Sequence, residues 1–202
     1  MSTVPWHQLC TLRDDVRAGK LTLAEFAADL NGVRTGEAPA VYREPAMFFA
    51  RTFPTYRMKV LARDVLLRLA GQGGKPVLQL QVAYGGGKTH TLITLLHLAE
   101  RGAQFATGSG ASEATVREFL AFAGLEVPPR ARVALLPFDK FDVKEGLKVY
   151  GPTGSTRRVM TPWGALAYQL AGNAGYARLK SHDEDFTVPA EPLLHARQRR
   201  LP

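Results

Sequence analysis

Residues 77–99 read VLQLQVAYGGGKTHTLITLLHLA, and this stretch decides the predicted fold. Apolar residues alternate from Val77 to Ala83, a pattern that predicts a β-strand. Three glycines then lead into Lys88 and Thr89. The apolar stripe of a following helix is formed by Leu92, Leu95, Leu96 and Ala99, and the helix is predicted to end near Arg101. Strand, glycine loop and helix in this order are typical of a phosphate-binding site.

The glycine loop explains why phosphates are the expected ligand. Glycine allows the backbone to adopt left-handed conformations that turn several N–H groups inward, and the helix start adds unpaired N–H groups and a favourable dipole. Lys88 would reach the β- and γ-phosphates, and the Thr89 hydroxyl would hold Mg²⁺. The sequence therefore predicts a Walker A loop for ATP and Mg²⁺, formed by Tyr84, Gly85, Gly86, Gly87, Lys88, Thr89 and His90.

The loop departs from the usual pattern at one position. A glycine normally stands five places before the glycine of Gly-Lys-Thr, and here that position is Val82. Residues Tyr84 to Gly86 would then supply the curvature of the loop. His90 either touches the phosphates or caps the helix locally, and the second interpretation is favoured. The alternative for the whole stretch is a glycine-rich turn with an incidental Lys-Thr pair.

The fold class predicted from these segments is α/β. Val133 to Leu136 forms a second short apolar stretch, so we expect a P-loop NTPase-like parallel sheet flanked by helices. Two strands do not complete such a sheet. The sequence therefore predicts a helical N-terminal lead-in over residues 1–45 and a partial core over residues 46–202 that lacks its C-terminal part. Further helices are predicted from Thr22 to Leu30, ended by Asn31-Gly32, around Val116 to Ala123, and from Thr161-Pro162 onward with Trp163, Leu166 and Leu170 on one face.

ATP hydrolysis would also need an acidic residue at the end of a second strand. The candidate catalytic residue is Asp139, although Pro137 interrupts the stretch before it and Lys140 follows. Asp183 to Asp185 have no apolar strand before them and are interpreted as a solvated loop. The sequence contains no Asn-Lys-x-Asp motif for reading guanine, which favours ATP over GTP.

Composition adds a weaker indication. The chain has 26 basic and 18 acidic residues and a net charge of +8, which favours phosphate-bearing partners or simply a solvated helix face. Residues 43–75 carry seven of these basic residues. The longest apolar run, Val133 to Phe138, is too short to span a membrane, and no secretory signal is visible. Cys10 is the single cysteine, so a cytoplasmic location without disulfides is expected.

The chain resembles the N-terminal part of large bacterial and archaeal ATPases of the AAA+ type, catalogued as a domain of unknown function and associated with phage-defence islands. The stretches that carry the resemblance are Pro5-Trp6, Phe26 to Leu30, Phe48 to Thr52, Gly85 to His90, Thr161 to Gly164 and Ala167 to Leu170. They follow the order of the family over nearly the whole chain. The resemblance implies that Lys88 and Thr89 bind ATP and Mg²⁺, and that Phe49 to Thr52 lie just ahead of the core.

The same resemblance implies that the acidic strand of the family follows the Trp-Gly helix, beyond residue 202. This chain would then be a truncated member that binds ATP without efficient turnover. A complete relative would be an ATP hydrolase, oligomeric in its full-length form, coupled to a nucleic acid or protein partner and acting in phage defence.

Two other functions remain open from the sequence. The first is a small-molecule or nucleoside kinase, with Arg157-Arg158 in a lid and Asp139 as the substrate anchor. The second is a non-catalytic basic module that binds nucleic acid through the helix containing Arg57 and Arg68. Such a module would bind in a strongly salt-dependent way, and its binding would not need Lys88.

Overall fold

A computed structural model describes residues 4–12, 14–19, 28–81 and 85–189. The helices are α1 (Trp6–Leu9), α2 (Asp14–Arg17), α3 (Leu30–Thr35), α4 (Ala40–Arg43), α5 (Pro45–Ala50), α6 (Tyr56–Leu69), α7 (Lys88–Arg101), α8 (Ala111–Ala123), α9 (Pro162–Ala177) and α10 (Lys180–Glu184). Strands β1 (Leu147–Tyr150) and β2 (Thr156–Val159) form an antiparallel hairpin. Short 3-10 turns lie at Gly102–Phe105 and Phe138–Lys140. The fold is mixed α/β and rich in helix.

The first hydrophobic core lies among helices α3 and α5 to α8. Phe48 and Phe49 of α5 are fully buried and pack with Ile93 of α7 and Phe119 of α8. The predicted helix at residues 88–101 is confirmed, and Leu96 and Ala99 of its predicted apolar stripe are buried. Ile93 is completely buried, whereas Leu92 is 39% exposed. The buried face therefore includes Ile93, which the predicted stripe left out.

The second core joins the hairpin to α9. Leu147, Val149 and Val159 pack against Ala165 and Tyr168 of the helix. Thr161 caps α9 by accepting a hydrogen bond from Gly164 N at 3.2 Å, so the predicted helix start is confirmed. The predicted apolar face is wrong: Leu170 is 38% exposed, while the smaller Ala165 is completely buried. Small residues on this side let the hairpin approach the helix closely.

The predicted parallel sheet is not present among the described residues. Residues 77–81 and 133–136 have no strand structure, and Val82 to Tyr84 lie outside the described residues. The backbone of the second stretch is paired with side chains instead. The Gln169 amide accepts from Leu135 N at 3.0 Å and donates to Leu135 O at 2.8 Å, and Arg34 donates to Val133 O at 3.0 Å. A parallel sheet needs several paired strands covered on both faces, and these two stretches do not pair with each other.

The boundary predicted after Leu30 is also wrong. Asp29 Oδ1 accepts a hydrogen bond from Asn31 N at 2.9 Å, so α3 begins where the predicted helix was expected to end. The helix finishes at Gly36, which has a φ of 84°. The start of the predicted helix, at Thr22, lies outside the described residues. Across the part of the chain that the structure describes, no helix has the length and apolar character needed to cross a membrane.

Candidate phosphate-binding site

Two glycines give the loop before α7 its shape. Gly85 has a φ of 79° and Gly87 a φ of 73°, both in the left-handed region that favours glycine. A Cβ at either position would meet no atom within 4 Å. The backbone conformation, and not crowding, therefore requires glycine here. Gly85, Gly86 and Gly87 are all exposed, and Tyr84 lies outside the described residues.

The start of α7 is left without a side-chain cap. Gly87 occupies the N-cap position, and the first turn contains no acidic residue that would complement the helix dipole. Lys88 and Thr89 stand there instead, half-buried. Thr91 directs both its N–H and its hydroxyl to Gly87 O, each at 2.9 Å. The N–H groups ahead of Thr91 thus lie at the positive end of the helix dipole, where the glycine loop meets the 14-residue helix α7.

Thr89 and Asp139, the two residues predicted to act near Mg²⁺, line the same cavity of about 450 Å³. Asp29 and Lys140 also line it and are joined by a salt bridge of 3.2 Å. Partial burial acts to raise the pKa of Asp29, but hydrogen bonds from the Gly32 backbone and from Lys140 outweigh it, so the pKa is lowered. The carboxylate of Asp29 is therefore charged at neutral pH and is occupied by Lys140.

His90 packs towards α5. Its ring centroid lies 4.6 Å from that of Phe48, and its Nε2 is 3.1 Å from the Thr52 hydroxyl oxygen. Burial lowers the pKa of His90, which keeps the ring neutral at pH 7. The Thr52 hydroxyl donates its one hydrogen to Phe48 O at 2.7 Å. His90 must consequently donate from Nε2, since the hydroxyl has no second hydrogen to give.

Thr52 is a residue of this site that the sequence analysis did not single out as a contact. Besides Phe48 and His90, its carbonyl oxygen accepts a hydrogen bond of 3.5 Å from the Thr115 hydroxyl of α8. Thr52 therefore connects α5, α7 and α8 directly behind the glycine loop. The family resemblance includes Thr52 within Phe48 to Thr52, but its contacts could not be predicted, because its partners lie 38 and 63 residues away along the chain.

The two arginines considered for a kinase lid are placed on β2. Arg157 lies over the ring of Tyr176 at 4.2 Å and donates to Asn173 Oδ1 at 2.9 Å. Arg158 donates to Glu145 O at 2.7 Å. Arg157 is thus held within the second core and not in a loop that closes over a substrate.

Asp183 corrects the prediction of a solvated acidic loop. Its side chain is 1% exposed and belongs to α10. It accepts hydrogen bonds from the backbone N–H groups of Met160 and Thr161, the Thr161 hydroxyl and the Tyr176 hydroxyl, at 2.7 to 3.1 Å. A Cβ at Gly164 would overlap the carboxylate. Glu184 and Asp185 are exposed, as predicted.

The Asp183 carboxylate also changes the acidity of the tyrosine that it binds. Burial and the hydrogen bond to Asp183 raise the pKa of Tyr176 to about 12. Arg157, stacked on the same ring, acts in the opposite direction. Tyr176 is therefore protonated at neutral pH, and its hydroxyl donates a hydrogen bond to Asp183 at 2.9 Å.

Comparison with known proteins gives one match. The family model described as the DUF499 N-terminal domain matches residues 5–196. No curated protein and no solved structure matches the sequence. The match covers nearly the whole chain, including the glycine loop, the Thr52 contacts and the Asp183 cluster.

Proposed function

The chain belongs to the DUF499 N-terminal domain family, and we propose that it binds the phosphates of ATP through Gly85 to Gly87 and the first turn of α7. The observation that supports this most strongly is the uncapped start of α7 behind two left-handed glycines. Such a start presents backbone N–H donors and partial positive charge. A triphosphate supplies acceptor oxygens and negative charge that complement this end of the helix.

Lys88 and Thr89 have different roles in this proposed site. The Lys88 ammonium adds a full positive charge beside the helix end, where β- and γ-phosphate oxygens would bind. Thr89 places a hydroxyl at the cavity that it shares with Asp139. Hydroxyl and carboxylate oxygens are ligands that Mg²⁺ prefers.

The residues present fit a nucleotide-bound Mg²⁺ and not a metal site made by protein alone. Among the residues that the structure describes, no three His, Cys, Asp or Glu side chains lie together in a way that could hold a metal ion. Mg²⁺ usually keeps several waters and takes only one or two protein ligands together with substrate phosphates. Thr89, with Asp139 nearby, is consistent with that mode of binding, and the ion would offset the charge of the triphosphate.

We further propose, from the family resemblance, that this domain is the nucleotide-binding part of a larger ATPase of the AAA+ type that acts in phage defence on a nucleic acid or protein partner. Within the described residues, Asp139 is exposed and unsupported by a strand. We therefore expect efficient hydrolysis to depend on groups supplied from elsewhere in such an assembly.

Calorimetry with MgATP tests the nucleotide site. Lys88→Ala should weaken binding on the order of tenfold to a hundredfold, because a hydrogen bond between charged groups contributes about 1.5–3 kcal/mol. Lys75→Ala removes the same charge from an exposed residue and serves as the matched control. Phosphate release measured in parallel should remain low for both proteins.

Two results would contradict the proposal. The first is binding by Lys88→Ala with the affinity of the unmutated chain. The second is the absence of binding by an unmutated chain whose circular dichroism shows that it is folded. Equal weakening by Lys75→Ala would mean that net charge, and not the loop, attracts the nucleotide.

A further inference from the structure

A second cavity, which we call the arginine cavity, shares no lining residue with the cavity at Thr89. Its volume is about 870 Å³. It lies where the end of α7 and the segment 130–133 meet the turn of the hairpin and α9. The charged residues that line it are Arg34, Glu100, Arg101, Arg130 and Arg132. Four cations against one carboxylate make this cavity strongly positive.

The single carboxylate is already occupied. Arg34 binds Glu100 with both of its terminal nitrogens, at 2.7 and 3.2 Å. Among the described residues, no carboxylate pairs with Arg101, Arg130 or Arg132. Arg132 donates to Leu170 O at 2.7 Å, which fixes its position without neutralising it. Three arginines thus line one cavity without an ion pair to any carboxylate of the described residues.

Arg34, which is paired with Glu100, gives a second indication that this cavity binds an anion. Arg34 Nε is buried and has no hydrogen-bond acceptor. A buried donor without a partner costs free energy, and a ligand oxygen entering the cavity that Arg34 lines would supply an acceptor. Planar guanidinium groups of this kind suit phosphate recognition, because each offers several donors in a fixed fork.

Features beside the cavity favour an extended polymer over a compact anion. Tyr150 of β1 lines the cavity, and Lys148 Nζ lies 5.8 Å from the centre of its ring. Lys148 is exposed and stands opposite Arg158 in the hairpin register. Arg158 lies 3.9 Å from Glu145, so its charge is partly offset. Positive charge thus continues from the cavity onto the outer face of the hairpin, past an aromatic ring.

We propose that the arginine cavity binds a segment of single-stranded nucleic acid. Arg101, Arg130 and Arg132 contact its phosphates, and a base stacks on Tyr150. A positive groove combined with an aromatic side chain is the arrangement that single strands use, since every base has a face that can stack. The site is separate from the glycine loop and does not depend on ATP.

Fluorescence anisotropy with a labelled oligothymidylate of about 16 nucleotides tests this site on the full chain without ATP. Arg101→Gln/Arg130→Gln should weaken binding about tenfold or more. It should also reduce the slope of log K against log salt by about 1.4, because each lost phosphate contact on a single strand contributes about 0.7. Arg57→Gln/Arg68→Gln removes the same charge from exposed positions of α6 and should change affinity less than about twofold.

Tyr150→Leu separates stacking from charge. It should weaken oligothymidylate binding by about fivefold to a hundredfold while leaving the salt slope unchanged. Circular dichroism and thermal unfolding of each variant identify loss of fold. A variant that unfolds is replaced by the single substitution Arg130→Gln, which removes a guanidinium that makes no ion pair in the described chain.

Four results would overturn the proposal. They are no binding by the unmutated chain, equal weakening by the cavity and α6 variants, tighter binding of a duplex of the same length, and loss of oligonucleotide binding in Lys88→Ala. The last result would place the strand at the glycine loop. A failure of ATP binding in calorimetry would leave this proposal standing, because the anisotropy measurement contains no nucleotide triphosphate.

Discussion

Helices α7 and α9 begin in opposite ways. α9 starts at Thr161, whose hydroxyl accepts from Gly164 N and donates to the buried Asp183 carboxylate. α7 starts at Gly87, which has no side chain that could accept a hydrogen bond from the first turn. Both starts contain a threonine and a glycine. A threonine side chain caps the first turn of α9, whereas the N-cap residue of α7 is a glycine without a side chain. The difference separates a helix start that the protein itself completes from the one at which we propose that an anion binds.

Removing the group that completes α9 should have the largest effect on stability. We expect Asp183→Ala to lower the free energy of unfolding by about 3–5 kcal/mol, because Met160 N, Thr161 N and the Tyr176 hydroxyl all lose their buried acceptor. Urea unfolding measures the change.

The neighbouring Asp185→Ala is the control for that measurement. Asp185 is exposed, so its removal should change stability by less than about 0.5 kcal/mol. Similar small changes in both variants would show that the Asp183 cluster does not stabilise α9.

At α7 the substitution Gly87→Ala should affect ligand binding as well as stability. An L-residue held at a φ of 73° is strained by about 1–2 kcal/mol, and the loop can relieve that strain only by moving its N–H groups. MgATP affinity should fall about tenfold as the loop changes shape.

Gly36→Ala provides the matched strain at the end of α3, where φ is 84° and a Cβ also meets no atom within 4 Å. It should cost similar stability and leave MgATP affinity unchanged. Equal loss of affinity in both variants would mean that global destabilisation, and not loop geometry, weakens binding.

The smallest predicted effect concerns pH. Burial lowers the pKa of His90 below its ordinary value of 6.5, so the unfolded chain binds this proton more readily than the folded chain does. The contribution of His90 to the free energy of unfolding should therefore be fully present above pH 6.5 and decline as pH falls below it. The loss is at most about 1.4 kcal/mol for each unit by which the pKa is lowered.

His90→Gln should flatten that decline in urea unfolding measured from about pH 7.5 to 5.5. The remaining slope should come from His97, whose pKa is also lowered by burial although its hydrogen bond to Tyr42 O opposes the shift. An unchanged slope in His90→Gln would show that the ring is not a source of the pH dependence.

The two helix starts also show which features could be predicted from the sequence and which could not. α7 was predictable because Gly85 to Thr89 and the apolar residues after them are local signals. The start of α9 was predictable from Thr161-Pro162 for the same reason. The role of Asp183 was not, because its partners at Met160 and Thr161 lie 23 and 22 residues earlier in the chain. Because the burial of Asp183 depends on such distant partners, the local sequence pattern around it does not predict it.

The strand predictions were wrong for a related reason. Residues 133–136 have strand-like composition, but whether they pair depends on what reaches them, and here Gln169 and Arg34 do. The true strands, with the sequences LKVY and TRRV, are only four residues long and partly polar, so their pattern is too short to predict a strand. The arginine cavity likewise assembles residues from five separate segments. Only the folded chain brings them together.

The Gln169 side chain has a consequence for how the chain behaves among copies of itself. Its amide carries the same donor and acceptor as a peptide group, and it satisfies both polar groups of Leu135 at once. An unpaired apolar stretch is normally a template for edge-to-edge aggregation. Because Gln169 already bonds both polar groups of Leu135, these groups are not available to pair with the backbone of another copy.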